Sequence, residues 1–355
     1  MDFSAKTSRQ RRVVGSGLIA LDVLLEGGKA AAYQGLGGSA GNVLAILAYL
    51  GWASFPVARL GHDAAAKRIE HEFQQLGAAT HFLKADPDSC TPVVYQWTEG
   101  ADGMPFYSFR CPVCGQRRGF DDHADTSLVD AVVEQMRGPA VFFFDRATEA
   151  TATLAEHFRR NRGMVVFEPS VVGDAEEFNR CVNASHVVKY SVDRIGSLNE
   201  ADLSGVLVEI QTMGREGLKY RLPRNSHEWT DMPAIDAPFV ADTSGAGDWC
   251  TAGALYWFLR EGRSEAGLQA TAQGVGTALR FGQALATLNC MYKGARGASR
   301  NLPAEELLRA AERVSAGDMD SQCESPISML DSIRAATSSV PTSSAANLCC
   351  EKLAF

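Results

Sequence analysis

Apolar runs alternate along the chain with segments whose apolar residues recur at helical spacing. The runs that have the length and composition of buried strands are 55–61, 140–145, 164–168, 186–190 and 206–212. Between them, segments such as 65–76 and 150–160 place apolar residues on one face of a helix. This alternation predicts a mainly parallel sheet with helices on both faces, an α/β architecture.

The first apolar run, 13–23, predicts a strand that contains a single carboxylate, Asp22. A buried strand rarely contains an acid without a partner or a function, so Asp22 is a candidate ligand-binding residue. The segment 34–42 then contains four glycines and leads into helical apolar spacing from Val43 onward. It predicts a glycine-rich loop that ends at a helix N-terminus.

Three other segments depart from the alternation. Residues 91–110 contain two short strand patterns around a glycine turn, which predicts an antiparallel hairpin belonging to a lid. Residues 317–355 contain ten Ser or Thr in 39 positions, so we expect a flexible tail. Residues 1–12 form a basic extension, and the apolar run that a secretory signal requires does not follow it.

The charge balance narrows the class of protein. Lysine and arginine number 34 against 42 aspartates and glutamates, a formal charge of −8, whereas nucleic-acid binders depend on clustered basic side chains. The most apolar stretch, 43–60, is interrupted by Gly51, Pro56 and Arg59, so we predict no membrane span. We therefore expect a cytoplasmic protein that binds neither nucleic acid nor membrane.

The chain has nine cysteines, an odd number that favours reduced thiols over a disulfide framework. Cys111 and Cys114 form a C-x-x-C pair, which is half of a zinc site. Cys90 and His123 are near the pair in sequence, but no second C-x-x-C or H-x-H pair is present. We therefore favour ordinary turn cysteines over zinc at Cys111 and Cys114.

The segment 242–248, D-T-S-G-A-G-D, precedes helical apolar spacing at 249–260. Its small residues allow backbone N–H groups to gather at the positive end of that helix, where an anion such as a transferring phosphoryl group binds favourably. Asp248 would stand beside the anion, where accepting a proton from an attacking hydroxyl is the function that fits it. The alternative is that Asp248 only stabilises the helix N-terminus.

Three motifs resemble those of the ribokinase-like carbohydrate and nucleoside kinases, the PfkB family. The segment 242–248, with the small pair at 252–253, is similar to the family's C-terminal signature. Q-T-M-G-R-E-G at 211–217 is similar to the family's turn beside the nucleotide phosphates. The N-terminal series is matched by G-G-S-A-G-N, L-G and L-G-H-D at 37–42, 50–51 and 60–63.

The resemblance implies a ribokinase-like fold, with a three-layer α/β/α core, a mainly parallel central sheet and a small β lid. The kinase domain would span 13–316, and the lid would come from about 23–35 and 91–110. The family also implies ATP and Mg²⁺ as cofactors, and a homodimer formed through the lid strands.

Residue by residue, the resemblance makes Asp248 the catalytic base, beside an anion hole formed by the amides of Gly245, Ala246 and Gly247. The residues implied to bind substrate hydroxyls are Asp22, Gly37, Gly38 and Asn42. Those implied to bind the nucleotide are Thr212, Gly214 and Gly217 at the phosphates and Asn289 near the adenosine. The residues that resemble a monovalent-cation segment, usually for K⁺, are Asp242 and Thr243.

One segment departs from the family pattern. The usual N-x-x-E element, which helps to organise magnesium and phosphates, has Ser191 and Arg194 in place of Asn and Glu. Asp193 lies one position away, and Lys189 would supply a cation to the phosphates, so we add Lys189 to the nucleotide-binding residues. The change predicts that magnesium is organised differently here.

These features predict an ATP-dependent kinase that phosphorylates a hydroxyl group of a sugar or of a sugar-containing small molecule. Two alternatives stay open. One is a nucleoside kinase in which lid aromatics stack on the base, and the other is a ligand-binding regulator that kept the fold but lost turnover. A Walker loop is absent, and the segment 35–40 lacks the last glycine of a dinucleotide motif.

Overall fold

The computed structural model describes residues 10–26, 30–98, 105–120, 126–138, 140–198, 200–260, 271–317 and 349–350. The strands are β1 (Arg12–Ser16), β2 (Ala20–Glu26), β3 (Ala30–Gly37), β4 (Ala53–Gly61), β5 (Leu83–Asp86), β6 (Val93–Thr98), β7 (Pro105–Ser108), β8 (Val141–Phe144), β9 (Met164–Phe167), β10 (Val187–Ser191), β11 (Val208–Thr212), β12 (Leu218–Arg221) and β13 (Thr230–Met232). The helices are α1 (Ser39–Tyr49), α2 (Ala64–Gln75), α3 (Thr126–Gln135), α4 (Glu149–Arg160), α5 (Ala175–Ala184), α6 (Val192–Ile195), α7 (Ala246–Leu259), α8 (Ala272–Cys290), α9 (Gly297–Asn301) and α10 (Ala304–Ser315).

Nine strands form the central sheet in the order β13-β12-β11-β10-β9-β8-β1-β4-β5. Neighbours from β11 to β5 pair in parallel, and β12 and β13 add an antiparallel edge. Successive residues of β8 face opposite sides of this sheet. Val141 and Phe143 pack in one core cluster with α1, α7 and α8, whereas Phe142 and Phe144 pack in another with α4 and α5. The predicted α/β architecture with three layers is therefore confirmed.

The prediction of a single strand over 13–23 is wrong. The chain leaves the central sheet after Ser16 and enters a different sheet at Ala20. Gly17, at the break, has φ +124°, and a Cβ there would lie 1.8 Å from Oδ1 of Asp145. The same Oδ1 accepts a 2.8 Å hydrogen bond from the amide of Leu18. The turn therefore depends on a glycine and on a carboxylate at the end of β8.

The second sheet has four strands in the order β3-β2-β6-β7. Strands β6 and β7 form an antiparallel hairpin in which Tyr95 pairs with Ser108, as the pattern at 91–110 predicts. Strand β2 pairs with β3 in antiparallel and with β6 in parallel. The second sheet thus contains the described parts of both segments that were expected to form a lid.

The ends of the chain are described only in part. Residues 1–9 and most of the expected tail, 318–348 and 351–355, lie outside the described residues. Cys349 and Cys350 of that tail are described, and both are buried. Among the helices that the structure describes, none combines the length and the apolar composition needed to cross a bilayer.

Candidate active site

Most of the candidate site residues lie where several parallel strands of the central sheet end. Strands β1, β8, β9, β10 and β11 all point their carboxyl ends towards the same edge, because they are parallel. In open α/β sheets, ligands bind in the crevice outside this edge.

Asp248 lies in the first turn of α7 and is buried. The helix follows Gly245, which has the left-handed φ of +72° and whose added Cβ would lie 2.3 Å from the carbonyl oxygen of Ala295. Only glycine fits this turn. Of the three amides expected to form the anion hole, that of Ala246 donates 3.2 Å to the carbonyl of Thr243, whereas Gly247 is exposed. The helix start therefore presents an accessible backbone beside a buried carboxylate.

Asn42 contacts Asp248 directly. Its Nδ2 donates a 2.8 Å hydrogen bond to Oδ2 of Asp248, and its Oδ1 is buried without a hydrogen-bond partner among the residues that the structure describes. Helix α1, which carries Asn42, begins after Gly38, whose φ is +77° and whose Cβ would lie 2.3 Å from the carbonyl of Leu18. A buried acceptor without a donor is costly, so this oxygen is suited to a substrate hydroxyl.

The surroundings of Asp248 favour its protonated form more than water would. Burial raises the pKa of Asp248 well above its usual range, and the charge of Glu168 raises it further. The hydrogen bond from Asn42 and the charge of Lys189 act in the opposite direction. A carboxylate with a raised pKa is a stronger proton acceptor, which is the property of a general base.

The buried Lys189 and the largely buried Glu168 form an ion pair beside the start of α7. Thr251 of α7 donates a 2.7 Å hydrogen bond to Oε2 of Glu168, and Lys189 Nζ donates 3.2 Å to the carbonyl of Gly247. Burial lowers the pKa of Lys189, but the charge of Glu168, its hydrogen bond and the nearby Cys250 and Asp248 together raise that pKa above its usual value. Lys189 therefore holds the backbone at Gly247 in place. Its predicted contact with nucleotide phosphates stays a prediction.

Asp22 lies on β2, in the second sheet, against Gly37, the last residue of β3. The prediction of a glycine-rich loop over 34–42 is wrong, because 34–37 belong to β3 and α1 begins at Ser39, which leaves only Gly38 between the two elements. A Cβ on Gly37 would lie 1.9 Å from the carboxyl carbon of Asp22, so the close approach requires glycine at this position. Burial raises the pKa of Asp22 to about 7, although the charge of Arg296 and a hydrogen bond from the backbone of Gly38 lower it. The expected substrate residues Asp22, Gly37 and Gly38 therefore lie in direct contact.

The hairpin of the second sheet reaches the loop at 242–248. The side-chain amide of Gln96, on β6, donates to the hydroxyl of Ser244, and the hydroxyl of Tyr107, on β7, lies 3.3 Å from the same oxygen. The pKa of Tyr107 is raised first by burial and then by three carboxylates, which are Asp242, Asp22 and Asp248. The charges of the expected substrate residue Asp22 and of the expected base Asp248 therefore both act on the hydroxyl of Tyr107.

Asp242 and Asn289, the expected cation and adenosine residues, form hydrogen bonds that connect separate backbone segments. Asp242 accepts from the amide of Ser244 at 2.9 Å and from that of Gly294 at 2.8 Å. Asn289 is fully buried, with Oδ1 accepting from the amide of Ala298 at 3.1 Å and Nδ2 donating 3.3 Å to the carbonyl of Ser244. The adenosine contact of Asn289 and a cation at Asp242 and the exposed Thr243 stay predictions.

The remaining nucleotide residues lie at the end of β11. Thr212 donates 3.3 Å to the carbonyl of Tyr190, and a short 3₁₀ turn, Gly214–Glu216, follows. Gly217 has φ +106°, and its Cβ would lie 2.3 Å from the carbonyl of Met232. Gly214 is exposed and has φ +56°. The turn thus offers open backbone at the same sheet edge, and its contact with phosphates stays a prediction.

Residue-level interpretation of the sequence did not assign a role to Asp145, Thr251 or Arg296. Asp145 is buried at the end of β8 and pairs with Arg146 at 3.1 Å. It ends an apolar strand with an acid, the same signal that selected Asp22, so the signal was available. Arg296 donates 2.6 Å to the carbonyl of Leu36 and influences Asp22, a contact between distant segments that no local pattern indicates.

A family model described as the pfkB family of carbohydrate kinases matches residues 30–302. The chain belongs to the pfkB family of carbohydrate kinases. A search among curated proteins found no match. The kinase assignment, and with it the expectation of an enzyme, is therefore confirmed, and the accessible helix start beside Asp248 is the candidate active site of a pfkB kinase.

Solved structures share this fold at low identity. A fructokinase from Xylella fastidiosa with bound ATP is 20% identical, with 85% of this chain and 99% of that chain covered and a TM-score of 0.68. A nucleoside kinase from Burkholderia thailandensis in complex with inosine is 18% identical, with 86% and 98% covered and a TM-score of 0.64. A double-mutant fructokinase from Vibrio cholerae with fructose, ADP and potassium is 19% identical, with 82% and 95% covered and a TM-score of 0.64. These similarities confirm the ribokinase-like fold.

Proposed function

We propose that this pfkB kinase transfers the γ-phosphoryl group of ATP to a hydroxyl group of a sugar, with Asp248 as the general base. The observation that supports this proposal is the position of Asp248, a buried carboxylate with a raised pKa at the glycine-rich start of α7. A carboxylate at this position repels a phosphate, so its presence there requires a functional reason. Receiving the proton of the attacking hydroxyl is the reason that fits.

The reacting groups would be arranged by residues of both sheets. Asp22 and the unpartnered Oδ1 of Asn42 would accept hydrogen bonds from acceptor hydroxyls and orient one of them towards Asp248. The helix start at Gly247, with Lys189 beside it, would stabilise the charge that develops on the transferring group. Gln96 and Tyr107 would hold the hairpin over the site and exclude water.

Magnesium bound with ATP would neutralise phosphate charge. The residue that fits this ion is Glu168, because its side chain is 15% exposed beside the loop and Mg²⁺ is commonly held through water. Asp193, which is exposed on α6, is the second candidate. The neighbour that holds potassium supports testing K⁺ at Asp242 and Thr243.

The polar groups of the candidate site favour one class of acceptor. The carboxylate of Asp22 and Oδ1 of Asn42 are hydrogen-bond acceptors, and the hydroxyl groups of a sugar are donors that would satisfy them. One observation favours a nucleoside as the second candidate. Tyr107 is 51% exposed on the hairpin and its hydroxyl lies 3.3 Å from that of Ser244, so its ring would offer a base an aromatic surface on which to stack.

The experiment is ADP release by the purified protein with ATP, Mg²⁺ and K⁺ across a panel of sugars and nucleosides. Asp248→Asn and Asp130→Asn, an exposed position on α3, are measured in parallel. We expect turnover of a sugar that falls about 10³-fold in Asp248→Asn and is unchanged in Asp130→Asn. Faster turnover of nucleosides would reassign the acceptor, and ATP binding without ADP release in any mixture would favour the regulator. An unchanged rate in Asp248→Asn would remove Asp248 as the base.

A further inference from the structure

Four cysteines gather at a place separate from the candidate active site. Cys111 and Cys114 lie in the loop after β7, and Cys349 and Cys350 come from the other end of the chain. The four Sγ atoms all lie within 4.8 Å of one another, and the sulfurs of Cys114 and Cys350 are 3.4 Å apart. Cys111, Cys349 and Cys350 are buried, whereas Cys114 is exposed.

The loop that carries the first pair has the form of a tight turn. The amide of Cys111 donates 2.8 Å to the carbonyl of Gln116, and the amide of Gly115 donates 2.9 Å to the carbonyl of Cys111. Gly115, with φ +74°, allows the chain to reverse directly after Cys114. The turn therefore holds the two sulfurs of the C-x-x-C pair on one side.

Hydrogen bonds to sulfur accompany this turn. The Cys111 sulfur accepts hydrogen bonds from the side chain of Tyr95 and from the backbone of Cys114 and Cys350. These bonds hold that sulfur in place beside the sulfurs of the other three cysteines.

We propose that Cys111, Cys114, Cys349 and Cys350 bind one zinc ion. Four thiolates at about 2.3 Å from a tetrahedral Zn²⁺ have sulfurs about 3.8 Å apart, a spacing that the observed cluster accommodates. A disulfide requires a sulfur separation of about 2.05 Å, and none of these four described cysteines is in one. Thiolate ligands in a tetrahedral set are those that zinc prefers.

The expectation of ordinary turn cysteines rested on the lack of a second pair near Cys111 and Cys114. The fold supplies that pair from Cys349 and Cys350, which are too distant in sequence for spacing to indicate them. Cys90 is exposed and outside the cluster, and His123 lies outside the described residues.

The proposed ion would fasten the end of the chain to the second sheet. The side chain of Tyr95, on β6 next to Gln96, is hydrogen-bonded to Cys111. Arg118 donates 3.3 Å to the carbonyl of Cys350 and pairs at 3.2 Å with Asp63, the N-cap of α2. Zinc at this position would therefore stabilise the base of the hairpin that covers the active site.

The test is the metal content of the full-length protein, purified with a thiol reductant from cells supplied with zinc. We expect about one zinc per chain in the wild type and in Cys90→Ser. Cys114→Ser and the double variant Cys349→Ser/Cys350→Ser should lose most of that zinc and melt at lower temperature than Cys90→Ser. Wild-type protein without zinc, or zinc retained in both cluster variants, would overturn the proposal.

A second measurement covers the case in which the cluster variants do not fold. The wild-type protein is exchanged with Co²⁺, and its visible spectrum is recorded together with the alkylation state of its cysteines. The site would be supported if Co²⁺ displaces about one zinc per chain and the protein then shows the intense absorption of a tetrahedral cobalt tetrathiolate. Disulfides joining these four cysteines in the reduced preparation, or a spectrum without thiolate bands, would refute it.

Discussion

Nδ2 of Asn42 donates a 2.8 Å hydrogen bond to Oδ2 of Asp248, and this bond joins the two glycine-rich segments of the chain. Asn42 lies in the first turn of α1, and Asp248 lies in the first turn of α7. The bond fixes one oxygen of the carboxylate and lowers the pKa that burial raises. It therefore sets both the orientation and the proton affinity of the proposed base.

Asn42→Ala removes that donor together with the unpartnered Oδ1. We expect kcat/KM for the acceptor to fall about 10²-fold, because the carboxylate loses its fixed orientation and the acceptor loses a partner. The acid limb of the kcat profile should also move to higher pH, since the bond lowers the pKa of Asp248. Steady-state rates from pH 5 to 9 measure both effects. Asn225→Ala, at an exposed position, is the control, and an unmoved acid limb in Asn42→Ala would contradict the assignment.

Substitutions of Lys189 and of Glu168 should shift the pKa of Asp248 in opposite directions. The charge of Glu168 raises the pKa of Asp248 and that of Lys189 lowers it. Glu168→Gln should therefore move the acid limb of kcat to lower pH, and Lys189→Met should move it to higher pH. Lys189→Met also leaves Glu168 without its cation, so we expect a loss of stability of about 3 kcal/mol. Shifts of the same sign in the two variants would argue against Asp248 as the titrating group.

The parts of the fold that rest on local pattern were predictable. The alternation of strands and helices is local, so it predicted the central sheet, and the hairpin at 91–110 followed from its glycine turn. The break at Gly17 was missed although Gly15, Ser16 and Gly17 interrupt the apolar residues there, because apolar residues resume directly at Leu18. That turn depends on Asp145, which is distant in sequence. No pattern in the sequence could show that Cys349 meets Cys111.

The site was predictable where a residue is unusual for its element. Asp22 is an acid among apolar residues, and its contact with Gly37 explains why the end of β3 requires glycine. Lys189 was predicted from its type alone, and its partner Glu168 could not be identified because the two lie on neighbouring strands. Pairings between strands are set by tertiary structure, which a single sequence does not reveal.

Asp22→Asn should stabilise the substrate-free protein and weaken its binding of the acceptor. The folded protein raises the pKa of Asp22 to about 7, above the value of about 3.9 in an unfolded chain. The native state then binds more protons, so this group lowers the stability as pH rises from about 4 to about 7. The neutral amide avoids this cost, and we expect a gain of about 2 kcal/mol at pH 8, less than the full shift implies because the carboxylate is partly exposed.

Thermal unfolding at pH 8 and at pH 4 measures that gain, which should be present at pH 8 and nearly absent at pH 4. Calorimetry with the acceptor should show weaker binding by Asp22→Asn, since an amide accepts hydrogen bonds less strongly than a carboxylate. A variant that is less stable than the wild type at pH 8 and binds the acceptor equally well would show that Asp22 is a structural residue.

The contacts of Gln96 and Tyr107 with Ser244 predict a role in closing the site. Gln96→Leu/Tyr107→Phe removes both hydrogen-bonding groups and leaves the apolar parts of the side chains largely in place. We expect KM for the acceptor to rise several-fold, because the hairpin no longer holds to the loop at 242–248. ATP hydrolysis in the absence of acceptor should rise as well, since water then reaches the site.

ADP release with and without acceptor measures the two quantities separately. Phe106→Leu is the matched control, because Phe106 lies on the same hairpin beside Tyr107 and is 47% exposed. Its hydrolysis without acceptor should equal that of the wild type. If the double variant hydrolyses ATP no faster than Phe106→Leu, the hydrogen bonds to Ser244 stabilise the hairpin without controlling the access of water.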